Sequence, residues 1–262
     1  MHLRVALHRA ALVAVVAVAC PASALAQESE PLITDRPDFS AGTSTVAPGR
    51  FQFEMGYTFS RSGEEEEQDF GELLVRLGIL PWLEGRLGLN SFVLLRSPSA
   101  DVDGLQDFMI GFKARLYRRP EGSSWAVPRV SLVLGADLPT GASGIGTSEV
   151  VPGAVLAASW DLSDGLTAGA NLGWVRGFED GERFNQGVAS LELIYVLTQV
   201  VTTYIEWYGL FPENQGGGSS NYLDTGIGWL LSNNLQLDWR IGVGLQDPSP
   251  NWFTGVGLSV RL

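Results

Sequence analysis

The stretch Phe51-Gln52-Phe53-Glu54-Met55-Gly56-Tyr57-Thr58-Phe59-Ser60 alternates large apolar residues with polar or small ones. Successive side chains of an extended chain point to opposite faces, so the five apolar residues share one face and the other residues share the opposite face. The stretch therefore predicts a β-strand with one apolar face and one wet face. The same alternation returns near the other end of the chain, at residues 235–244.

The alternation recurs along the whole chain from residue 51 and predicts twelve strands. Short connections, such as residues 81–82 and 232–234, alternate with longer polar ones, such as residues 97–104 and 212–220. Short turns at one end and longer loops at the other are typical of an outer-membrane barrel, and strands of about ten residues suit a tilted membrane crossing. Residues 50–262 are therefore predicted to form an all-β, transmembrane antiparallel up-and-down β-barrel of about 12 strands. The predicted long external loops are residues 62–69, 97–104, 141–149, 178–185, 212–220 and 246–251.

Aromatic residues support the membrane barrel, because they cluster at both predicted ends of the strands, where a membrane barrel carries its two girdles. The alternative is a soluble sandwich or lipocalin-like barrel, whose strands also alternate but bury their apolar face inside. The predicted periplasmic girdle contains Trp82, Trp125, Trp160 and Trp229, and the external girdle contains Trp174, Trp207, Phe211 and Trp252.

Residues 1–26 have the pattern of a secretory signal peptide. Basic residues come first, an apolar run follows from Ala10 to Ala19, and a small-residue cleavage site stands before Gln27. The apolar run is too short to span a membrane as a helix. An alternative is that Cys20 becomes a lipid anchor, since the residues before it loosely resemble a lipoprotein cleavage site. Either route predicts export across the inner membrane.

Composition excludes several functions. The chain of 262 residues has 17 basic and 29 acidic side chains, a formal net charge of -12, which argues against a nucleic-acid partner. Its single cysteine is Cys20, and both histidines, His2 and His8, also lie in the predicted signal peptide. A histidine-assisted serine or cysteine nucleophile is therefore not available after cleavage. The protein is predicted not to be an enzyme, and no catalytic site, metal site or cofactor is predicted.

The segment after the predicted signal, Thr34-Asp35-Arg36-Pro37-Asp38-Phe39, and the later run Ser44-Thr45-Val46-Ala47-Pro48-Gly49-Arg50-Phe51-Gln52-Phe53-Glu54 resemble the opening of an outer-membrane family known as putative MetA-pathway of phenol degradation. Further matches follow in order at Leu138-Pro139-Thr140-Gly141, at Glu206 and at Leu235-Gln236-Leu237-Asp238. The resemblance covers essentially the whole chain after residue 33.

This resemblance implies an outer-membrane, transporter-like barrel in a Gram-negative-type envelope, associated with uptake of small aromatic or hydrophobic compounds. It defines no catalytic residues. The implied partners are outer-membrane lipids, the barrel-assembly machinery and a small solute that the sequence does not identify. The alternative is a barrel that does not conduct and has a structural or adhesive role.

The wet face of the predicted strands would line the lumen. Because charges in a narrow barrel must be paired or solvated, a structural network of ion pairs is one interpretation of this face, and a selectivity filter is the other. The candidate pore-lining residues are Glu54, Glu72, Arg76, Arg86, Arg115, Arg129, Asp137, Glu206, Asp224, Asp238 and Arg240.

Residues 27–49 precede the first strand and form either a periplasmic tail or a plug inside the lumen. In the plug hypothesis, Arg36 reaches an inward carboxylate such as Glu206 or Asp238, and Asp35 or Asp38 reaches an arginine. Glycines on the lumenal face of the last three strands would give room for such a segment.

Overall fold

The protein is described by a computed structural model that covers residues 30–120, 122–179, 181–247 and 249–262. The predicted signal peptide and Cys20 lie outside these residues. In the described part of the chain no helix is long and apolar enough to cross a membrane. The strands are β1 (Phe51–Ser62), β2 (Glu65–Leu80), β3 (Leu83–Arg96), β4 (Asp101–Leu105), β5 (Phe108–Tyr117), β6 (Arg129–Leu138), β7 (Val151–Ser163), β8 (Leu166–Glu179), β9 (Glu182–Val196), β10 (Val201–Phe211), β11 (Ser220–Ser232), β12 (Leu235–Gly244) and β13 (Trp252–Arg261).

These strands form one closed, antiparallel barrel, as predicted. Each strand pairs with its neighbours in the chain, and β1 closes the ring by pairing with β13, from Gln52 opposite Arg261 to Arg61 opposite Trp252. β4 and β5 occupy one position in the wall, because β3 pairs with β5 along its first half and with β4 along its second half. The thirteen segments therefore make a twelve-stranded barrel.

The distribution of polarity is the reverse of that in a soluble protein. The largest fully buried side chains are polar or charged, among them Arg76, Lys113 and Glu84. Large apolar side chains face outward, and Leu172 is 69% exposed. A soluble sandwich would bury these apolar rows, whereas a membrane barrel presents them to lipid. The outer surface thus identifies a barrel that sits in a bilayer.

The ends of the barrel differ from the prediction at three external connections. In the predicted loop of residues 97–104, β4 begins at Asp101 and pairs with β3. Residues 62–69 and 178–185 were expected as long polar loops, but β1–β2 and β8–β9 are hairpins, the first turning at residues 63–64 and the second at Gly181. The glycine in each of these turns, Gly63 (φ 60°) and Gly181 (φ 83°), has a left-handed backbone, which glycine adopts readily. Polar strand residues therefore extend the wall beyond the membrane.

The regular alternation of β2 and β3 is interrupted at one level of the barrel. Glu72 (φ 40°) and Asn90 (φ 46°) have left-handed backbones, and the register of the two strands shifts between Phe70 and Leu74. A β-bulge of this kind redirects side chains. Here it turns Glu72 inward, where its carboxylate accepts hydrogen bonds from Thr58 at 2.5 Å and from Arg36 at 2.6 Å.

Candidate functional site in the barrel lumen

Residues 30–49, which we call the lumenal segment, lie inside the barrel. The segment begins at the periplasmic rim, where the Leu32 amide donates to Asn233 O at 2.9 Å, and returns to the same end, where the Gly49 amide donates to Gly78 O at 2.8 Å. The close approach of the segment to β2 requires a glycine at position 78, because a Cβ there would clash with the Ala47 carbonyl oxygen. The remainder of the segment crosses the lumen between these two points.

Hydrogen bonds hold the lumenal segment to almost the whole circumference of the wall. Ala41 donates to Asn171 Oδ1 on β8 at 2.8 Å, and Val46 donates to Glu84 Oε2 on β3 at 2.8 Å. Thr43 Oγ1 lies 2.8 Å from Ser159 Oγ on β7. Including side-chain donors, the bonds reach β1, β2, β3, β5, β6, β7, β8, β9, β10, β12 and β13.

A buried cluster of charges on β1, β2 and β3 lies beneath the segment. Arg76 lies 2.7 Å from the Glu54 carboxylate and 2.9 Å from the Glu84 carboxylate, and its side chain is 1% exposed. It also donates to the Ser44 carbonyl oxygen at 3.2 Å. Removing one partner from such a cluster leaves an uncompensated buried charge, so these pairs depend on one another.

Asp35 inserts one further carboxylate into this cluster. Its oxygens lie 2.6 Å from Arg86 and 2.7 Å from the Lys113 ammonium. Burial alone would raise the pKa of Asp35, but the charges of Arg76, Lys113 and Arg86 hold that pKa well below its ordinary value. Asp35 is therefore ionised and anchors the segment to β2, β3 and β5.

Arg36 anchors the opposite side of the segment. Its guanidinium lies 2.6 Å from Glu72 and 3.4 Å from Asp238. Burial disfavours the charged form, but the Asp238 and Glu72 carboxylates raise the pKa of Arg36 above its ordinary value. A Cβ on Gly257 would lie 2.4 Å from Arg36 Nε, so this glycine on β13 provides the space for the arginine.

A row of acids faces the segment on the other wall. Glu206 lies directly opposite Glu192 on β9 and Asp224 on β11. Its carboxylate accepts hydrogen bonds from the Phe39 amide at 2.7 Å and from the Ser40 hydroxyl. Burial, then the charges of Glu192 and Glu206, raise the pKa of Asp38 in the segment well above its ordinary value. Of the two aspartates that were expected to offer a partner to an arginine, Asp35 therefore does so and Asp38 meets carboxylates.

Aromatic rings are stacked beside this acid row. Phe39 lies parallel to Tyr208 with ring centroids 4.2 Å apart, and Tyr208 lies parallel to Tyr222 at 4.5 Å. Phe253 contacts Tyr222 edge to face at 6.4 Å, and Arg240 lies 5.6 Å above the Phe253 ring. The stack therefore runs from the lumenal segment to the wall strands β10, β11 and β13.

The remaining candidate residues lie nearer the two mouths. Arg115 donates to Thr45 Oγ1 at 2.9 Å and to the Pro81 carbonyl oxygen at the periplasmic mouth. Arg129 lies 2.6 Å from Asp161 at the same end. Asp137 lines a cavity of about 190 Å³ toward the external end.

Asp107, which lies between β4 and β5, fixes an external loop. Its carboxylate accepts hydrogen bonds from the Thr140 amide at 2.9 Å, the Gly141 amide at 2.6 Å and the Thr147 amide at 2.7 Å. Burial would raise the pKa of Asp107, but the hydrogen bonds from Thr147 and Gly141 lower it. The Leu-Pro-Thr-Gly stretch is thus the start of a loop that is tied to the β4–β5 junction.

Sequence reasoning named the charged members of the lumen but missed several neutral ones. Ser40 Oγ lies 2.6 Å from Ser190 Oγ, and Gln52 donates to the Ile33 carbonyl oxygen at 2.9 Å. Tyr208 and Tyr222 could have been found, because both fall on wet-face positions of their alternating strands. The serines carry no comparable signal.

Residues 34–262 match the family described as Putative MetA-pathway of phenol degradation. The chain belongs to this family. Among proteins of curated function, none matches the sequence.

Solved structures share the fold at low sequence identity. The COG4313 outer membrane channel from Pseudomonas putida F1 has a TM-score of 0.66 at 12% identity, covering 86% of this chain and 100% of that chain. The KdgM porin has a TM-score of 0.55 at 8% identity, covering 80% and 98% of the two chains. The NanC porin has a TM-score of 0.53 at 11% identity, covering 81% and 100%. The protein is an outer-membrane β-barrel that shares the fold of these channel and porin structures.

Proposed function

We propose that the protein is an outer-membrane channel for small aromatic or hydrophobic solutes, and that the lumenal segment is its plug. The observation that carries this proposal is the position of residues 30–49, which are bonded to lumenal groups on nearly every strand. The family to which the chain belongs and the fold that it shares with an outer membrane channel support the same function.

The lining of the lumen supports an apolar solute. Phe39, Tyr208 and Tyr222 supply ring surface. The cavity of about 190 Å³ on the β5–β8 side is lined mainly by Met109, valines, alanines and glycines, together with Arg86 and Asp137. Such sites, mostly apolar with a few polar groups, are typical of small-molecule binding. The charged groups on β1, β2, β3 and β5 are mutually paired, and acids without a cationic partner in the described part of the chain form a row on β9, β10 and β11, which is not a ring around the lumen.

The plug hypothesis can be tested by linking the lumenal segment to the barrel wall with a disulfide. Ser40 and Ser190 have their hydroxyl oxygens 2.6 Å apart, and the only natural cysteine is Cys20 in the predicted signal peptide. A Ser40→Cys, Ser190→Cys variant should therefore form one disulfide between the segment and β9. In planar bilayers the oxidised form should stay closed, and a reductant should restore the openings of the wild-type protein.

Deletion of residues 28–45 is the complementary variant. We expect it to raise the single-channel conductance, because it removes the groups that cross the lumen. For the disulfide experiment, the single Ser190→Cys variant controls for loss of the Ser190 hydroxyl. If the deletion variant inserts and stays as closed as the wild type, the plugged channel is overturned, and the competing function, a structural or adhesive barrel that does not conduct, is favoured.

The proposed role is not enzymatic. The proposed partners are outer-membrane lipids around the apolar exterior, the barrel-assembly machinery during insertion, and a neutral small molecule in the lumen. A cofactor has no part in the proposed function.

A further inference from the structure

A cavity of about 780 Å³ opens at the periplasmic mouth of the barrel. The lumenal segment bounds one side of it at residues 44–48, and the connection between β5 and β6 bounds another. Arginines supply most of the charge on its lining, and they are Arg115, Arg118, Arg119, Arg129 and Arg261. Among the described residues, the acids on the lining are Glu30 and Asp161. Binding sites for small molecules have volumes of about 300–1,000 Å³, so the cavity can hold one.

The β5–β6 connection, residues 118–128, explains why the arginines gather here. Four of the five lie on it or at the strand ends that it joins, at Arg115, Arg118, Arg119 and Arg129. The turns that join other strands at this end contain no basic residue at 81–82, 164–165 or 233–234. Positive charge is therefore concentrated on one side of the mouth.

Two of the arginines share one acid, Asp161. Arg129 lies 2.6 Å from its carboxylate, and Arg119 lies 3.1 Å from it. Arg261, at the end of β13, donates to the Asn234 side chain at 2.9 Å and to the Glu30 carbonyl oxygen. Because Asp161 and Glu30 supply two negative charges against five positive ones, the lining keeps a surplus of positive charge.

Arg115 and Arg118 carry this surplus. Within the described residues, Arg115 donates to neutral oxygens, which are Thr45 Oγ1 at 2.9 Å and the Pro81 carbonyl oxygen. Arg118 is exposed, and its guanidinium has neither a hydrogen bond nor an ion pair in the described part of the chain. The two guanidinium groups are close enough to repel each other. An anion between them would replace this repulsion with attraction.

The external mouth carries the opposite charge. Residues 64–67 are four consecutive glutamates, and further acids at the same end are Glu149, Glu179, Glu182 and Glu213. A field of this sign repels anions that approach from outside, whereas the arginines attract anions that approach from the periplasm. A ligand of the cavity should therefore be a periplasmic anion.

Guanidinium chemistry narrows the class of anion further. A guanidinium matches the geometry of phosphate and carboxylate groups and can donate two parallel hydrogen bonds to either. A phosphate group carries up to about two negative charges and offers three acceptor oxygens, so a single group can contact both Arg115 and Arg118. A carboxylate carries half of that charge. The surplus on this lining therefore favours a phosphate group.

We propose that this cavity binds a small water-soluble molecule that carries a phosphate group and enters from the periplasm. Gln52 and Val46, which also line the cavity, are 1% and 5% exposed, so the cavity extends into the barrel and away from the lipid. A soluble phosphate can reach it more easily than a lipid headgroup can. The inference goes beyond the proposed function, and it holds whether or not the barrel conducts.

The first test is isothermal titration calorimetry of the refolded protein in dodecyl maltoside, a detergent without charge. The probes are inorganic phosphate and acetate, compared at equal ionic strength. Because of its second charge and its additional charge-assisted hydrogen bonds, phosphate should bind about tenfold more tightly than acetate. Equal affinities, or no binding of either anion, would overturn the proposal.

Two variants assign the site to its residues. Arg118→Gln removes a guanidinium that has no partner among the described residues, so the fold should be unaffected while the affinity for phosphate falls about tenfold. Arg115→Gln should lower this affinity by a similar factor. The control is Arg96→Gln, at the external end of β3, where the arginine side chain is 39% exposed, and it should bind phosphate as the wild type does. An affinity that persists in both Arg115→Gln and Arg118→Gln overturns the assignment.

A competition experiment separates a soluble ligand from a lipid. Glycerol 3-phosphate and dihexanoyl phosphatidic acid both present a phosphate monoester on glycerol, but only the second carries acyl chains. Glycerol 3-phosphate should displace inorganic phosphate, and the lipid should displace much less at the same concentration. Displacement by the lipid alone would overturn the soluble ligand and assign the arginines to the membrane surface.

Discussion

At the scale of single residues, the cluster on β1, β2, β3 and β5 keeps full charges buried because its central groups each contact more than one group of opposite charge. Arg76 contacts Glu54, Glu84 and Asp35 at once, and Lys113 and Arg86 both contact Asp35. A carboxylate with several cationic partners recovers the cost of its desolvation more fully than one in an isolated pair. The stability of the wall and the position of the lumenal segment therefore depend on the same few side chains.

Arg76→Met should destabilise the barrel by about 3–5 kcal/mol, because it leaves buried carboxylates without their central cation. The measurement is urea unfolding in detergent micelles, followed by tryptophan fluorescence. Arg61→Met is the matched control: Arg61 lies 3.4 Å from Glu66, the two side chains are 48% and 38% exposed, and the change should stay within about 0.5 kcal/mol. Equal losses of unfolding free energy in the two variants would show that the buried charge cluster contributes no more to stability than the exposed pair.

The two aspartates of the segment predict opposite responses to pH. The pKa of Asp38 is raised in the docked segment, so the docked state binds protons more readily; docking strengthens as pH falls and weakens as pH rises through that raised pKa. The pKa of Asp35 is lowered, so its contribution is lost only when pH falls through the lowered value.

We therefore expect more frequent openings at pH 8 than at pH 5 in planar bilayers. Asp38→Asn should reduce the openings at pH 8 and flatten this dependence, because an amide does not acquire a negative charge. Asp103→Asn, on an exposed position of β4, should leave the dependence unchanged. An unaltered pH profile in Asp38→Asn would contradict the assignment to Asp38.

At the scale of elements, alternation predicted strands wherever the pleat is regular and failed where it is not. The run from Phe51 to Ser60 predicts β1 because side-chain direction in a strand has a period of two. The bulge at Glu72 and Asn90 and the tight hairpins at Gly63 and Gly181 were not predicted, because they depend on cross-strand register, which a single strand does not encode.

The lumen was predictable to the extent that it is charged. Arg36 contacts Asp238, one of the two carboxylates expected for it, because long-range ion pairing has few possible partners in a narrow barrel. Either Asp35 or Asp38 was expected beside an arginine; Asp35 contacts Arg86, and Asp38 lies among acids, because the path of the segment is set by backbone bonds to Glu206 and Asn171. Those bonds leave no pattern in the sequence.

The loop tied by Asp107 gives a prediction at this scale. Asp107→Asn replaces one carboxylate oxygen with an NH2 group, so either the Thr140 and Gly141 amides or the Thr147 amide lose their acceptor, and the loop of residues 139–150 should open more often. If the free energy of opening the loop falls by about 1–1.5 kcal/mol, thermolysin should cleave before Ile145 roughly tenfold faster. Asp103→Asn serves as control, and equal cleavage in both variants would show that Asp107 does not hold the loop.

At the scale of the whole molecule, the outward face determines where the barrel is stable. Leu172 near the middle of β8 is 69% exposed, and its neighbours on the outer wall are apolar. Leu172→Arg should cost about 2–4 kcal/mol in phospholipid vesicles, because an arginine on the lipid face is penalised near the midplane. Gln215→Arg in the β10–β11 connection should be neutral in the same unfolding assay. A neutral Leu172→Arg would contradict a lipid-facing wall.

The contacts of the lumenal segment also set an order of assembly. The segment directly precedes β1, the strand that closes the ring with β13, and its partners are distributed from Gln52 on β1 to Arg240 on β12. Such distant partners come together only when the last strand is in place, so the segment docks after closure. With the plug function proposed above, each newly made barrel would pass through an interval in which it is complete but unsealed, and the rate of docking would decide how long the envelope leaks.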